Sequence, residues 1–398
     1  MTTTLQPLQH NQRDKNLDIL RGFALAGVLF VFCTGDMSIV ESYTNSVLDD
    51  VIQWFRSRMV EGRMYGMLIL IFGIGFSVQL QKAKQKGESL VPAFVRRSIG
   101  LILIGFLHGV FLSSRDILLF YGIAGLMLLP VRNFSARRLM IAILVVSIVW
   151  LEFYLFLQFL NIKPIRITSW VPPNDFDSYF RFNWQFFKEY HQMYGIYLDM
   201  LLNFILGFYV GKTGLLQRIE TNRKLRLRYL LTSLILVVIL DFFLYAWIWE
   251  PRSLVLSKPT EPWQKIIFGQ GLAILWKLWV ISFVTIYGSA LLSIHSLKSG
   301  QKLLLPLAAF GQMALSNYLI QSVLLVPYAL WFDKYNNMPP FNGTILFLIV
   351  FAFQLIFSTW WLKWFRFGPF EWLLRSFTYW KWQPMKKKEI ILTAEMTL

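Results

Sequence analysis

Charge is scarce in this sequence. Of its 398 residues only 15% are Asp, Glu, Lys or Arg, where a soluble domain carries about 25%. Cysteine is scarcer still: Cys33 stands alone, which excludes an internal disulfide and a thiolate metal cluster. The four histidines form no HExxH pair and no metal-ligand spacing, so no metal is expected. There is no P-loop, no low-complexity or long disordered tract and no internal repeat. Gly73-Ile-Gly75, set in an apolar run, reads as helix packing, and so does the Gly207/Gly211 pair.

What the chain has in excess is apolar surface. Hydrophobic residues make up 56%, including 36 Phe, 16 Trp and 16 Tyr. One core cannot hide that much, so the bilayer must act as solvent for most of it. The expected fold class is all-α: a polytopic transmembrane helix bundle forming a single membrane domain over residues 1–398. A net charge of +17 would suit a nucleic-acid binder, but the basic residues sit in short clusters between apolar runs, as membrane-flanking charge does. Nucleic acid is therefore not an expected partner. Residues 1–16 are polar, and the first apolar run carries Arg21 with no small-residue cleavage site after it. That argues for a retained span rather than a removed signal peptide.

A spanning helix needs about 20 largely apolar residues. The runs at 17–35, 64–80, 98–114, 116–131, 139–160, 194–212, 229–249, 266–293, 304–330 and 342–364 predict about ten spans. The third and fourth read as a tight helical hairpin around Ser114-Arg115. Pro306 and Pro327 near the ends of the ninth suggest a tilted or broken helix. With a cytoplasmic N-terminus, about 25 Lys and Arg fall on the inner side against about 12 outside, so both termini are expected in the cytoplasm. A bacterial cytoplasmic membrane is the expected location.

Two segments lie outside the spans. Residues 161–193 form the longest outer loop, dense in rings from Trp170, Phe176 and Tyr179 to Phe187 and Tyr190. It reads either as a membrane-resting connector or as a lid over a substrate site. Residues 368–398 read as a cytoplasmic interfacial helix, with Glu371 and Arg375 spaced to pair on its surface, followed by a basic tail facing anionic lipid.

Ionisable and amide side chains inside the spans are costly enough to demand a role. Asp18 and Arg21, three apart, can meet on one helix face; Arg21 either locks the helix or offers charge to an anionic group entering from the cytoplasm. His108 sits in Gly105-Phe-Leu-His108-Gly109, beside a small-xxx-small face. It is either a packing residue or a general base, with Asp116 placed to orient it and Tyr121 able to reach the same cavity. Lys277 needs an acid, and Asp241 on the preceding span is the nearest in sequence. Glu152 and Asp199 fall in the outer half. Asn317 and Gln321, four apart, face one side of the ninth span as helix–helix hydrogen-bonding groups. So many buried polar groups imply a polar cavity open to the outer half.

The motifs resemble those of the YeiB-like bacterial membrane proteins, catalogued as domain of unknown function 418. They run in order from Leu17-Asp-Ile-Leu-Arg21-Gly and Ile71-Phe-Gly73-Ile-Gly75 to Gly105-Phe-Leu-His108-Gly109 with Asp116-Ile-Leu-Leu-Phe-Tyr121-Gly. Gly311-Gln-Met-Ala-Leu-Ser-Asn317-Tyr318-Leu-Ile-Gln321 and Gly368-Pro-Phe-Glu371-Trp-Leu-Leu-Arg375 complete the set. That family is distantly similar to transmembrane acyltransferases that carry acyl groups from coenzyme A to outward-facing sugars, and it has also been described as transport-related. In those acyltransferases a His follows the first-span Arg by eleven residues. Here that position is Phe32, which leaves His108 to serve.

Two functions follow as expectations. As an acyltransferase, His108 would deprotonate an acceptor, helped by Asp116 or Tyr121, while Arg21, Arg96 and Arg97 would receive the phosphates of an acyl-coenzyme A donor. As a transporter of a small polar or lipidic solute, Glu152, Asp199, Asp241 and Lys277 would line a path or relay protons.

Overall fold

The computed structural model describes residues 14–36, 46–159, 175–192, 195–244, 262–332 and 338–387, with side chains described for all but 154–159, 244 and 262–269. The N-terminal residues 1–13, the first part of the aromatic loop with Trp170, and the end of the basic tail lie outside the described residues.

Fifteen α-helices account for nearly all of it. They are α1 (Lys15–Val31), α2 (Val47–Phe55), α3 (Arg63–Gln85), α4 (Val91–Phe111), α5 (Leu118–Met127), α6 (Ala136–Phe159), α7 (Phe176–His191) and α8 (Gly195–Lys212). There follow α9 (Leu215–Thr221), α10 (Arg223–Leu244), α11 (Pro262–His295), α12 (Lys298–Gln312), α13 (Ala314–Trp331), α14 (Pro340–Trp364) and α15 (Pro369–Tyr379). Among the described residues there is no strand, only one antiparallel bridge between Phe365 and Lys386. Single π-helical turns at Phe32–Asp36 and Arg56–Val60 extend α1 and join α2 to α3.

Among the described residues six helices are long and apolar enough to cross a membrane, and α7 with α8 adds a seventh if that bent pair counts as one span. The outward side chains of α6, α10 and α14 are apolar in long stripes, such as Leu144, Val145 and Ile148, or Ile349, Phe353 and Ile356. Water would not tolerate apolar patches of that size; lipid does. This is a multi-pass membrane protein.

Several helix boundaries differ from the sequence expectation. The second arm of the hairpin, α5, has ten residues, about 15 Å of helix, half the hydrocarbon thickness. The ninth run is two helices: α12, with Pro306 inside it, stops at Gln312, and α13 restarts after Met313. No side chain close in sequence caps that restart. Glu371 of α15 does so instead, accepting from the N–H groups of Leu315 (2.6 Å) and Ser316 (3.1 Å) and from Ser316 Oγ. Burial pushes the Glu371 carboxyl above its usual range, and the bonds from Ser316 and Leu315 pull it back.

Glycines let the central helices touch backbone to backbone. A Cβ on Gly73 would stand 3.0 Å from Gly207 Cα, joining α3 to α8, and one on Gly22 would stand 3.1 Å from Gly311 N, joining α1 to α12. Helices that close gain dispersion contacts and exclude lipid, the mechanism available to packing inside a bilayer. Gly75 has nothing within 4 Å of a built Cβ, so the second glycine of that motif serves space rather than contact.

Candidate functional site

A cavity of about 310 Å³ lies where α1 and α4 begin and α3 ends, with α13 and α15 closing its sides. Lys86 on its rim is exposed, so it reaches the surface of this end of the bundle. Six cationic side chains line it, Arg21, Lys82, Lys86, Arg97, Arg366 and Arg375, against three carboxylates, Asp14, Asp18 and Glu371. All three carboxylates have local work: Asp14 caps α1 through the N–H of Asn16 (2.9 Å), Asp18 pairs with Arg21 at 2.7 Å, and Glu371 caps α13. Arg21 also reaches toward the Gly311 carbonyl at 3.5 Å. The mouth is therefore cationic, and a cleft lined by one sign of charge concentrates ligands of the other.

Inward, the lining turns apolar. Leu25, Leu68, Phe72, Leu101, Ile117 and Tyr121 narrow it, with Tyr318 at the same depth. The Tyr121 ring packs on Phe72 and Phe204, and its hydroxyl is buried without a hydrogen-bond partner among the described residues. The Tyr318 ring centroid lies 5.0 Å from that of His108.

Behind Tyr318 stands a buried chain of three polar side chains. His108 Nδ1 lies 2.8 Å from Asp116 Oδ1, and His108 Nε2 lies 2.9 Å from Ser322 Oγ. A carboxylate only accepts, so Nδ1 carries a proton toward Asp116, and in the neutral imidazole Nε2 is then left to accept from the Ser322 hydroxyl. Asp116 is fully buried and its other oxygen accepts from Leu119 N–H at 3.0 Å, which caps α5. Gly105 makes this arrangement possible, because a Cβ there would stand 2.7 Å from Asp116 Oδ2.

From the far side the site is covered by α7. Asn183 donates to the Gly109 and Val110 carbonyls (2.6 and 2.7 Å) and accepts from Ser114 N–H (2.7 Å), finishing the open end of α4. Tyr179 donates to the Leu112 carbonyl, and the Phe187 ring lies on Gly109. The cavity consequently opens at the end where α1 begins, which on the expected topology is cytoplasmic, and not toward the outer half.

The structure brings Tyr121, Arg21 and Arg97 into the lining of one cavity, while His108 and Asp116 do not line it and reach it through the contact of His108 with Tyr318. Arg96 turns away, donating to the Thr378 carbonyl of α15 at 2.7 Å. Lys277 does not pair with Asp241: it bonds Asp199 of α8, while Asp241 pairs with Arg58 at 2.6 Å. A helix interior presents each acid to whichever helix packs beside it, and sequence proximity does not decide the partner. Glu152 accepts from Gln270 at 3.1 Å. Asn317 and Gln321 face α14, where Gln354 joins them: it accepts from Gln321 (3.1 Å) and donates to the Asn317 carbonyl (2.9 Å). None of Glu152, Asp199, Asp241, Lys277, Asn317 and Gln321 lines the cavity. Sequence reasoning missed Ser322, Tyr318, Lys82, Lys86 and Arg366. Tyr318 and Ser322 are four apart, one position along from the Asn317/Gln321 pair, and that offset was the available signal.

Comparison with known proteins agrees with the resemblance. Residues 210–381 match the family described as "Protein of unknown function (DUF418)". The chain is 23% identical to the uncharacterized protein YeiB of Escherichia coli (strain K12), over 92% of this chain and 96% of that one. The chain is thus similar to the DUF418 family over that stretch and to YeiB over nearly its whole length. It is also 28% identical to the uncharacterized protein YxaH of Bacillus subtilis (strain 168), over 97% of this chain and 99% of the relative. An uncharacterized 39.9 kDa protein of Bacillus acidopullulyticus, from an amylase 3' region, is 25% identical over 94% and 96%. The first part of the chain, residues 13–185, matches the catalytic region of heparan-alpha-glucosaminide N-acetyltransferase. Arg21, Arg97, His108, Asp116 and Tyr121 all fall inside that match.

Proposed function

We propose that this YeiB-like protein is a membrane acyltransferase of a bacterial plasma membrane, taking an acyl group from a coenzyme A thioester at its cytoplasmic face and passing it to an outward-facing acceptor. The observation that carries the reading is the cavity itself: a cationic mouth, an apolar neck, and a His108–Asp116 couple just beyond the neck. Coenzyme A has the matching anatomy, phosphates at one end and a slender arm ending in the thioester at the other. Arg21, Arg97 and the lysines of α3 receive the phosphates, by charge-assisted hydrogen bonds of the kind guanidinium groups form best. The arm enters between Leu25, Phe72 and Leu101. His108, held in one tautomer by Asp116, accepts a proton from the attacking hydroxyl.

Similarity to an acetyltransferase catalytic region over residues 13–185 supports the same reaction class. Lysines at the start of the tail, Lys386 and Lys387, fold back beside the end of α14, where anionic headgroups would meet them. Transport gains no comparable support, since Glu152, Asp199, Asp241 and Lys277 lie off the cavity and bond one another or their neighbours.

Calorimetry of acetyl-coenzyme A binding to the detergent-purified protein tests the donor site. Saturable binding is expected, weakened about tenfold or more by Arg21→Ala or Arg97→Ala, the loss of about 1.4 kcal/mol that a charge-assisted contact supplies. Absence of binding at millimolar ligand by folded protein refutes the donor assignment.

A further inference from the structure

We propose that Ser322 is the acyl carrier, so that transfer proceeds in two steps through an acyl-serine ester; this rests on the acyltransferase reading above. Three observations carry it.

The first is the bonding of the hydroxyl. Serines and threonines inside helices usually donate to a carbonyl one turn back on their own helix, and this chain follows suit at Ser282 (Leu278 O, 2.8 Å), Thr344 (Pro340 O, 2.9 Å) and Thr359 (Leu355 O, 2.8 Å). Ser322 is buried in α13 and makes no such bond among the described residues; its Oγ meets His108 Nε2 at 2.9 Å.

The second is the tautomer. Asp116 fixes a proton on His108 Nδ1, so in the neutral imidazole Nε2 accepts, and among the described residues the proton offered to it is that of Ser322. Nucleophile, base and orienting acid stand in hydrogen-bonded order, the arrangement by which an unreactive hydroxyl becomes a nucleophile.

The third is placement. On α4 the cavity-lining residues Phe94, Arg97 and Leu101 continue along one helix face to His108. On α13 Leu315 and Tyr318 continue in the same way to Ser322. From Arg97 to His108 is eleven residues (108 − 97), about 16 Å of helix, roughly half the hydrocarbon core. The reacting oxygen thus lies one turn of α13 beyond the cavity-lining Tyr318, whose ring is 5.0 Å from that of His108.

In the first step Ser322 Oγ bonds the thioester carbonyl carbon as its proton passes to His108 Nε2. The carbon–sulfur bond then breaks, and the sulfur leaves with that proton as free coenzyme A. In the second, an acceptor hydroxyl gives its proton to Nε2 and attacks the serine ester. The acyl–Oγ bond breaks, and Ser322 recovers its proton from His108.

The test uses the full-length protein in detergent with acetyl-coenzyme A and no acceptor. A burst of free coenzyme A close to one per protein is expected, with one acetyl group on the Ser322 peptide by mass spectrometry. Ser322→Ala and His108→Ala should abolish the burst and the adduct, and Ser322→Ala should slow overall transfer by roughly 10³-fold or more. Transfer by Ser322→Ala within threefold of the unsubstituted protein, with no acylated peptide, overturns Ser322 while leaving acyl transfer itself standing. A fluorophosphonate probe, which needs no coenzyme A, separates the two failures. If coenzyme A neither binds nor turns over, the acyltransferase reading falls. Labelling of Ser322 that His108→Ala prevents would still sustain the nucleophile, and absence of that labelling would remove it.

Discussion

The two glycines of the Gly73-Ile-Gly75 motif should respond oppositely to the same methyl group. At Gly73 a new Cβ would stand 2.9 Å from Phe208 N and 3.0 Å from Gly207 Cα, and closer still to the Phe204 carbonyl. Those are backbone atoms of α8, and none can rotate away. Restoring ordinary contact distances moves α3 and α8 apart by about half an ångström or more, along the seam where Phe72 stacks on Phe204 and Phe76 meets Phe208. Overpacking of this kind costs about 1–3 kcal/mol, from which the gain of replacing a mid-helix glycine, about 0.5–1 kcal/mol, must be subtracted. Gly73→Ala should therefore lose about 1–2 kcal/mol. Gly75→Ala meets nothing within 4 Å and keeps only the gain, so it should be about 0.5–1 kcal/mol more stable. Unfolding of both variants and the parent in mixed micelles, by SDS titration followed by tryptophan fluorescence, reads the difference directly. Equal midpoints for the two variants would refute the claim that Gly73 is a contact glycine and Gly75 a space glycine.

Two further outcomes follow from ion pairs and burial. Lys277→Met should cost about 2–3 kcal/mol by stranding Asp199, which is mostly covered, and Lys277→Met with Asp199→Asn should recover most of it; an equal loss in the double variant would mean the pair is not coupled. Half-burial, reinforced by Asp14 and opposed by a bond from Asn16, pushes the Glu220 carboxyl up to about 7, so its favourable contribution is full below about 4.5 and is lost as pH rises through 7. After solvent screening that is about 1 kcal/mol, so the protein should unfold more readily at pH 8 than at pH 5, and Glu220→Gln should flatten that slope; an unchanged slope in the variant would assign it to other groups.

The helical class and the His108–Asp116 couple were both legible in the sequence, because each rests on local spacing. Gly105 and Gly109 announce a close approach, and an acid on the following turn is the natural visitor. What failed to show was anything decided by a third element. Asp241 and Lys277 lie on neighbouring helices and were natural partners, yet Arg58 from a π-helical turn and Asp199 from α8 reached them first. The break at Met313 is stabilised by a carboxylate 58 positions later (371 − 313), so no capping residue marks it locally. On α13 the amides of Asn317 and Gln321 drew attention, whereas the next stripe, about 100° round the helix, brings Tyr318 to the cavity and Ser322 to His108.

Asp116 holds two structures with one carboxylate, and that allows its roles to be separated. One oxygen caps α5 through Leu119 N–H; the other fixes the tautomer of His108. Asp116→Asn can keep the cap, since the amide oxygen still accepts from Leu119. Its nitrogen must then point at His108 Nδ1 and donate, which drives the histidine proton onto Nε2. There it faces Ser322 as a donor, and the base can no longer accept. Stability should change by about 1 kcal/mol or less, the difference between an aspartate and an asparagine cap, while acyl transfer falls by roughly 10³–10⁴-fold, the size of effect seen when an acid–histidine couple is left in the wrong tautomer. Asp116→Ala, losing both bonds, should lose activity and stability together. Were Asp116→Asn to retain activity within tenfold of the parent, the tautomer argument would be wrong, and His108 would be a packing residue whose acid merely caps a helix.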